Sequence, residues 1–207
     1  YRDADGKRRA GNPNGHILRF KEEQGRSDSM RFSWDIFLFG AEEDAGPANL
    51  SGLTADNSFS SPDGIWFSQA TGICWIQSDD GAMTDETNCM MVAALPGKLG
   101  DGRFLTIQNE LDGQTSEQVT RIGASLNEHR LRRFLVGPKG AEITGLCETP
   151  DGKTLFVNIQ HPGENTTAPD LLEERYESHW PGNHGHGKAG RPRSATIAIT
   201  RDDGGVI

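Results

Sequence analysis

The 207-residue sequence predicts an all-β fold, a partial β-propeller of about two four-stranded blades plus part of a third, with long loop insertions. Three observations predict it. Short β-branched and aromatic runs alternate with Gly-, Pro- and Asp-rich turns, the pattern of many short strands. Helical periodicity is nearly absent. One unit also recurs: Ser61-Pro62-Asp63-Gly64-Ile65-Trp66-Phe67 is echoed by Thr149-Pro150-Asp151-Gly152-Lys153-Thr154-Leu155-Phe156, a Pro-Asp-Gly turn running into a strand. Sandwiches and barrels share the first two traits. The restart of a four-strand pattern favours a propeller.

Taken in order, residues 1–15 read as loop and 16–20 as a strand, followed by a charged turn through Gly25. Residues 30–40 read as a longer strand, with Phe32, Trp34, Ile36 and Leu38 on one face by period two. The acidic, Gly/Ala/Asn-rich stretch 41–57 reads as loop. A four-strand unit follows at 64–68, 73–77, 89–95 and 131–136. It is interrupted by an insertion at 96–130, which carries the pattern of an extra hairpin around 103–107 and 118–123. The unit restarts at 142–146, 154–160 and 195–201, with a long polar loop before the last strand and one helical turn expected at 171–176.

Composition excludes several function classes. A formal net charge of −9 argues against a nucleic-acid partner gripped through its phosphates. The acids instead favour solubility and supply oxygen donors for hard cations. No apolar run reaches the length of a membrane span. Cys74, Cys89 and Cys147 are widely spaced, with no Cys-x-x-Cys pair, and their odd number argues against a disulfide framework. Cys74 and Cys147 fall in strand patterns and are expected as small buried hydrophobes. A Gly-x-Ser-x-Gly elbow, a P-loop and a His-Glu-x-x-His helix are all absent from the sequence.

The candidates for chemistry are carboxylates at strand ends. In a propeller the loop entering an innermost strand opens on the central channel, which is where Asp63 falls. Calcium takes six to eight oxygens, so such a site draws on several blades. Pro-Asp-Gly is equally a turn sequence in its own right, which leaves Asp63 with two readings. Glu142 opens a strand where no turn carboxylate is needed, so it is either a surface charge or a ligand. Asp79 and Asp80 close a strand before Gly81, as turn formers or ligands, and Asn88 offers an amide oxygen. Asp151 is assigned to its turn. His161, in Gln-His-Pro-Gly, reads as a loop residue, with ligand or acid roles left open. His179, His184 and His186 lie in a Gly-rich loop. His184-Gly185-His186 has a spacing that holds a transition metal, although a polar loop is the plainer reading.

Several blocks together resemble the PhoX-type alkaline phosphatases, a bacterial exported propeller family. They are Asn14-Gly-His-Ile-Leu-Arg19, Trp34-Asp-Ile-Phe-Leu38, Phe59-Ser-Ser-Pro-Asp-Gly-Ile-Trp-Phe67, Trp75-Ile-Gln-Ser-Asp79, Leu131-Arg-Arg-Phe-Leu-Val-Gly-Pro138, Glu142-Ile-Thr-Gly145, the run from Thr149-Pro-Asp-Gly to His161-Pro-Gly-Glu164, Ser178-His-Trp-Pro181 and Arg191-Pro-Arg-Ser-Ala195. They stand in family order over nearly the whole chain. The resemblance implies that residues 1–207 are a C-terminal fragment of one such propeller domain, with 96–130 inserted within a blade. It implies a phosphomonoesterase using a calcium and iron (Fe3+) cluster at the channel mouth, with Asp63, Glu142 and Asp79 as metal ligands. The family's cysteine iron ligand, further acidic ligands and Arg-Pro-Glu region would lie upstream of Tyr1. Thr87-Asn88-Cys89-Met90 departs from the Asn-Asn pair common at that point.

The expectations are therefore a phosphate monoester substrate, a periplasmic or extracellular location, and no activity in the fragment alone. Self-association through exposed sheet edges is also expected. The alternative is a non-catalytic propeller module with a degenerate metal site.

Overall fold

A computed structural model describes residues 11–182 and 190–207. The described chain is built from three antiparallel-dominated sheets. The first has strand order β1-β2-β7-β6, the second β3-β4-β5-β8 and the third β9-β10-β11. The expected two four-stranded blades and part of a third are thus present.

In the first sheet, β1 (His16–Glu22) pairs with β2 (Phe32–Phe39). The second sheet is an up-and-down series, β3 (Pro62–Phe67), β4 (Cys74–Ser78), β5 (Met90–Ala94) and β8 (Leu131–Val136). The third holds β9 (Glu142–Glu148), β10 (Thr154–Gln160) and β11 (Ala195–Thr200). The apolar faces are shared between neighbours. Phe37 and Leu38 of the first sheet pack with Cys74, Ile76, Met90 and Val92 of the second. Trp75 and Met91 of the second pack with Ile143, Leu155, Val157 and Ile159 of the third. Sheets stacked face to face around successive cores are the way propeller blades pack.

The insertion between β5 and β8 forms the expected hairpin, longer than the sequence suggests: β6 (Arg103–Leu111) and β7 (Gln114–Ile122). Asp112 and Gly113, both at positive φ (51° and 77°), turn it in two residues, the geometry whose twist suits a hairpin. The hairpin does not join the sheet that flanks it in sequence. It extends the first sheet, where Ile36 pairs with Ile122 in parallel and Gly123 N–H donates to Ile36 O at 2.8 Å.

One-residue bulges correct two expectations. On β2, Phe37 is skipped in the pairing with β1, so residues beyond it change face. Ile36 and Phe39 therefore share one core while Phe37 and Leu38 enter another, and Phe32 and Trp34 stay exposed instead of sharing a buried face with Ile36 and Leu38. On β9, Gly145 at φ 35° is skipped opposite Val157 and Asn158. An ideal Cβ there would meet Asn158 Nδ2 at 2.6 Å, so only glycine fits. The slip turns Leu146 toward the core, and Cys147 is consequently exposed, contrary to its expected burial. Cys74 is buried as expected. The helical turn also lies earlier than predicted, at α1 (Ala168–Leu172), because Thr167 Oγ1 accepts from Asp170 N–H and Pro169 sits in the first turn. Among the described residues, no helix is long and apolar enough to cross a membrane.

The inserted hairpin is latched by charge. Asp35, 0% exposed, accepts from Arg19 Nε at 2.8 Å, Arg19 Nη2 at 2.6 Å and Gly100 N–H at 2.7 Å. Arg19 also donates to Asp101 Oδ1 at 2.9 Å and to Pro96 O. Burial alone would raise the Asp101 carboxyl, but hydrogen bonds from Arg19 and the amides of Ala124 and Lys98 outweigh it and hold it at about 2. Burial of Asp35 is likewise outweighed by Arg19 and Gly100, and its carboxyl lies below the ordinary value. Both folded-state values are depressed. The stability they contribute is complete above the ordinary 3.8 and is lost as pH falls through the folded-state values, about 2 for Asp101.

We expect amide exchange in the hairpin to accelerate as pH is lowered across that window, after correction for the intrinsic pH dependence. We also expect Asp35→Ala to lose about 3–5 kcal/mol in denaturant unfolding, because it breaks the buried ion pair and leaves Arg19 Nε and Gly100 N–H without their acceptor. Unchanged unfolding of Asp35→Ala would contradict the latch.

Candidate functional site

The strand starts that carry Asp63 and Glu142 belong to the first strands of adjacent sheets, and β9 packs against β3, β4 and β5. Three pieces of backbone chemistry place the carboxylates. In the first, Ser61 takes φ 48° and the register slips between Pro62 and Gly64, so Asp63 is the unpaired residue of a bulge. A bulge redirects the side chain it carries. Gly64 follows because an ideal Cβ there would meet Gln77 Oε1 at 2.7 Å. In the second, Asp79 N–H donates to Ser61 O at 3.2 Å, bringing Asp79 to the same end as Asp63. In the third, Glu142 pairs directly with Gln160 at the far end of the β9–β10 hairpin.

These elements bring Asp63 and Asp79 within electrostatic reach of Glu142. Glu142 is buried at 8% exposure, whereas Asp63 and Asp79 are exposed. Burial raises the Glu142 carboxyl above its ordinary value, and the negative charges of Asp79 and then Asp63 raise it further. His161 offsets part of this, and a hydrogen bond with Asp63 favours the protonated acid. Such crowding of carboxylates, one of them desolvated, favours a bound cation. The donors are hard oxygens, which fit calcium or ferric iron. Among the described residues the acids do not close into a three-donor cage of metal-binding geometry.

The remaining candidates separate cleanly. Asp80 is a turn former: Oδ1 accepts from Ala82 N–H at 2.8 Å and from Ser61 Oγ at 3.2 Å, and Oδ2 accepts from Met83 N–H at 3.1 Å. Asp151 shapes its own turn, accepting from Thr149 Oγ1 at 2.6 Å and Lys153 N–H at 3.2 Å. Asn88 spends its amide nitrogen on Gly137 O at 2.9 Å. His179 lies 2.9 Å from Gly190 O through Nδ1 and edge-on to Tyr176, as a loop residue would. His184 and His186 lie outside the described residues. Burial pushes the Cys74 thiol up to about 12 and also raises Cys89, so neither is disposed to be a thiolate ligand.

Sequence reasoning undervalued the stretch after β10. Gln160 Nε2 donates to Glu142 Oε2 at 2.6 Å, and His161 Nε2 lies 3.5 Å from the same oxygen. The signal was the hairpin itself, since pairing 142–146 with 154–160 puts Gln160 and His161 beside Glu142.

A family model described as alkaline phosphatase PhoX matches residues 2–163. The solved structure of Pseudomonas fluorescens PhoX in complex with vanadate, a transition-state analogue, is similar to the chain with 33% identity and a TM-score of 0.66. The match covers 94% of this chain and 28% of that one, so the chain spans less than a third of the length of the structure it matches. No curated protein sequence matches significantly.

The raised Glu142 carboxyl has a definite consequence without metal. Its favourable contribution is complete below the ordinary 4.5 and is lost as pH rises through the higher folded-state value. We expect Glu142→Gln to melt higher than the metal-free parent at neutral pH, by roughly 2–4 °C for each kcal/mol of repulsion relieved, and the gap to vanish in acid. Equal melting temperatures at neutral pH would show that the carboxylates do not repel.

Proposed function

Because the chain belongs to the PhoX alkaline phosphatase family, we propose that it forms part of a metal-dependent phosphomonoesterase and contributes Asp63, Asp79 and Glu142 to the metal site. The observation that carries this reading is the coupling of Glu142 to Asp63 and Asp79 across two adjoining sheets. Structural carboxylates are ordinarily paired with a base or a backbone amide, as Asp35 and Asp80 are here. Glu142 instead carries the repulsion of Asp79 and Asp63, only partly offset by His161.

In this mechanism the bulge at Asp63 and the strand end at Asp79 present exposed carboxylates, and Glu142 presents a desolvated one. Calcium and ferric ions, when bound, supply positive charge that clamps phosphate oxygens and offsets charge developing in the displacement. The chain's own residues set the positions of the oxygens that hold them. Further ligands come from other blades of the same propeller, of which residues 1–207 form the C-terminal part. The insertion 96–130 belongs to this single domain. The location is periplasmic or extracellular, in keeping with the exported family.

Substrate is a phosphate monoester, and nucleic acid is not a partner. Exposed apolar side chains on β1 and β3, including Leu18, Phe20, Ile65 and Phe67, offer surface for packing against further sheets or a second copy.

Residues 1–207 alone are expected not to turn over p-nitrophenyl phosphate, because the site needs donors from the remaining blades. In the full-length protein, Asp63→Asn and Glu142→Gln are each expected to lower kcat/KM roughly 100-fold or more, the scale of losing one charge-stabilising group. Chelator-sensitive turnover by the isolated chain, or unimpaired turnover by both variants, would refute the assignment.

A further inference from the structure

The loop 161–164 grips the turn that leads into Glu142. Gly163 N–H donates to Lys139 O at 2.9 Å, and Glu164 N–H donates to Gly140 O at 3.2 Å. Gly140 sits at φ 61° in a space where a Cβ would meet Glu177 Oε2 at 2.5 Å and Glu164 N at 3.1 Å. His161 itself takes φ 34°, an uncommon conformation for a residue with a side chain, and its N–H donates to Ser194 Oγ at 2.9 Å. Backbone bonds on both sides thus hold His161 in a left-handed conformation beside Glu142.

Its ring lies between two carboxylates. Nε2 is 3.5 Å from Glu142 Oε2, and Nδ1 is 3.1 Å from Glu164 Oε2. The Nδ1 atom is buried and has no well-aligned hydrogen-bond partner, so the ring is not seated by local hydrogen bonding alone. Gln160 Nε2 reaches Glu142 Oε2 as well, at 2.6 Å. Both contacts fall on Oε2, which leaves Oε1 clear of Gln160 and His161.

We propose that His161 and Gln160 are positioning residues that orient the Glu142 carboxylate toward a cation. The proposal rests on the reading of Glu142 as a metal ligand. Groups that bond to a ligating carboxylate fix its orientation and tune its hold on the metal. The loop's backbone bonds fix the left-handed conformation, and that conformation brings Nε2 within 3.5 Å of the one desolvated carboxylate of the cluster.

The test is calcium affinity by chelator competition in the full-length protein. Asparagine tolerates the left-handed backbone but is too short to reach Glu142, whereas glutamine restores the reach. His161→Asn is expected to bind calcium about 10-fold more weakly, with His161→Gln recovering most of the loss and the metal-free melting temperatures of the two variants alike. Calcium affinity of His161→Asn equal to the parent's, beside a weakened Glu142→Gln, would overturn the positioning role and leave the metal site standing. Unchanged affinity in Glu142→Gln would remove Glu142 from the site and take the positioning role with it.

Discussion

Electrostatic crowding around Glu142, at the start of the first strand of one sheet and beside the first two strands of the next, is the constraint around which this candidate site is organised. A carboxylate that is mostly out of water, with two more acids acting on it, is held above its ordinary value and so favours a proton or a cation. The fold creates that situation with backbone devices. A bulge redirects Asp63, a strand-end hydrogen bond places Asp79, and a hairpin register sets Glu142 against Gln160. Backbone geometry places Asp63 and Asp79, and Glu142 reaches its place with Oε2 engaged by Gln160 and His161.

The frame beneath this crowding is conventional in its energetics. Two shared apolar cores fix the sheets against one another, with Trp75, Met90, Met91, Ile143 and Val157 at or near complete burial. The acids of the frame are treated differently from those of the site. Asp35 is satisfied by three donors and Asp80 by backbone amides and a serine hydroxyl. The frame acids are held by a guanidinium or by backbone amides, whereas Glu142 is held by Gln160 and His161 on one oxygen and carries the added repulsion of Asp79 and Asp63.

Most strands were legible because their signals are local. Pro-Asp-Gly turns and the β-branched runs each declare themselves within a few residues, and Asp63 and Glu142 stood out as candidates by their place at strand starts. Three kinds of feature were not legible. Bulges slip the register by one residue, which reversed Cys147 and divided Ile36 from Leu38 although period two places each pair or strand correctly up to the bulge. Long-range partnering was also hidden: nothing in 96–130 announces that its hairpin completes the sheet of β1 and β2, or that Arg19 and Asp35 anchor it. His161 was hidden for a third reason. Its neighbours Pro162 and Gly163 explain the turn so well that the side chain's approach to Glu142 shows only in three dimensions.

The central claim is that Asp63, Asp79 and Glu142 hold a cation together. The most direct measurement is anomalous diffraction from crystals of the full-length protein with a lanthanide in place of calcium. The account predicts a peak bonded to oxygens of at least two of the three carboxylates, Glu142 among them. Peaks elsewhere, with these three oxygens left uncoordinated while the protein hydrolyses phosphate esters, would contradict it.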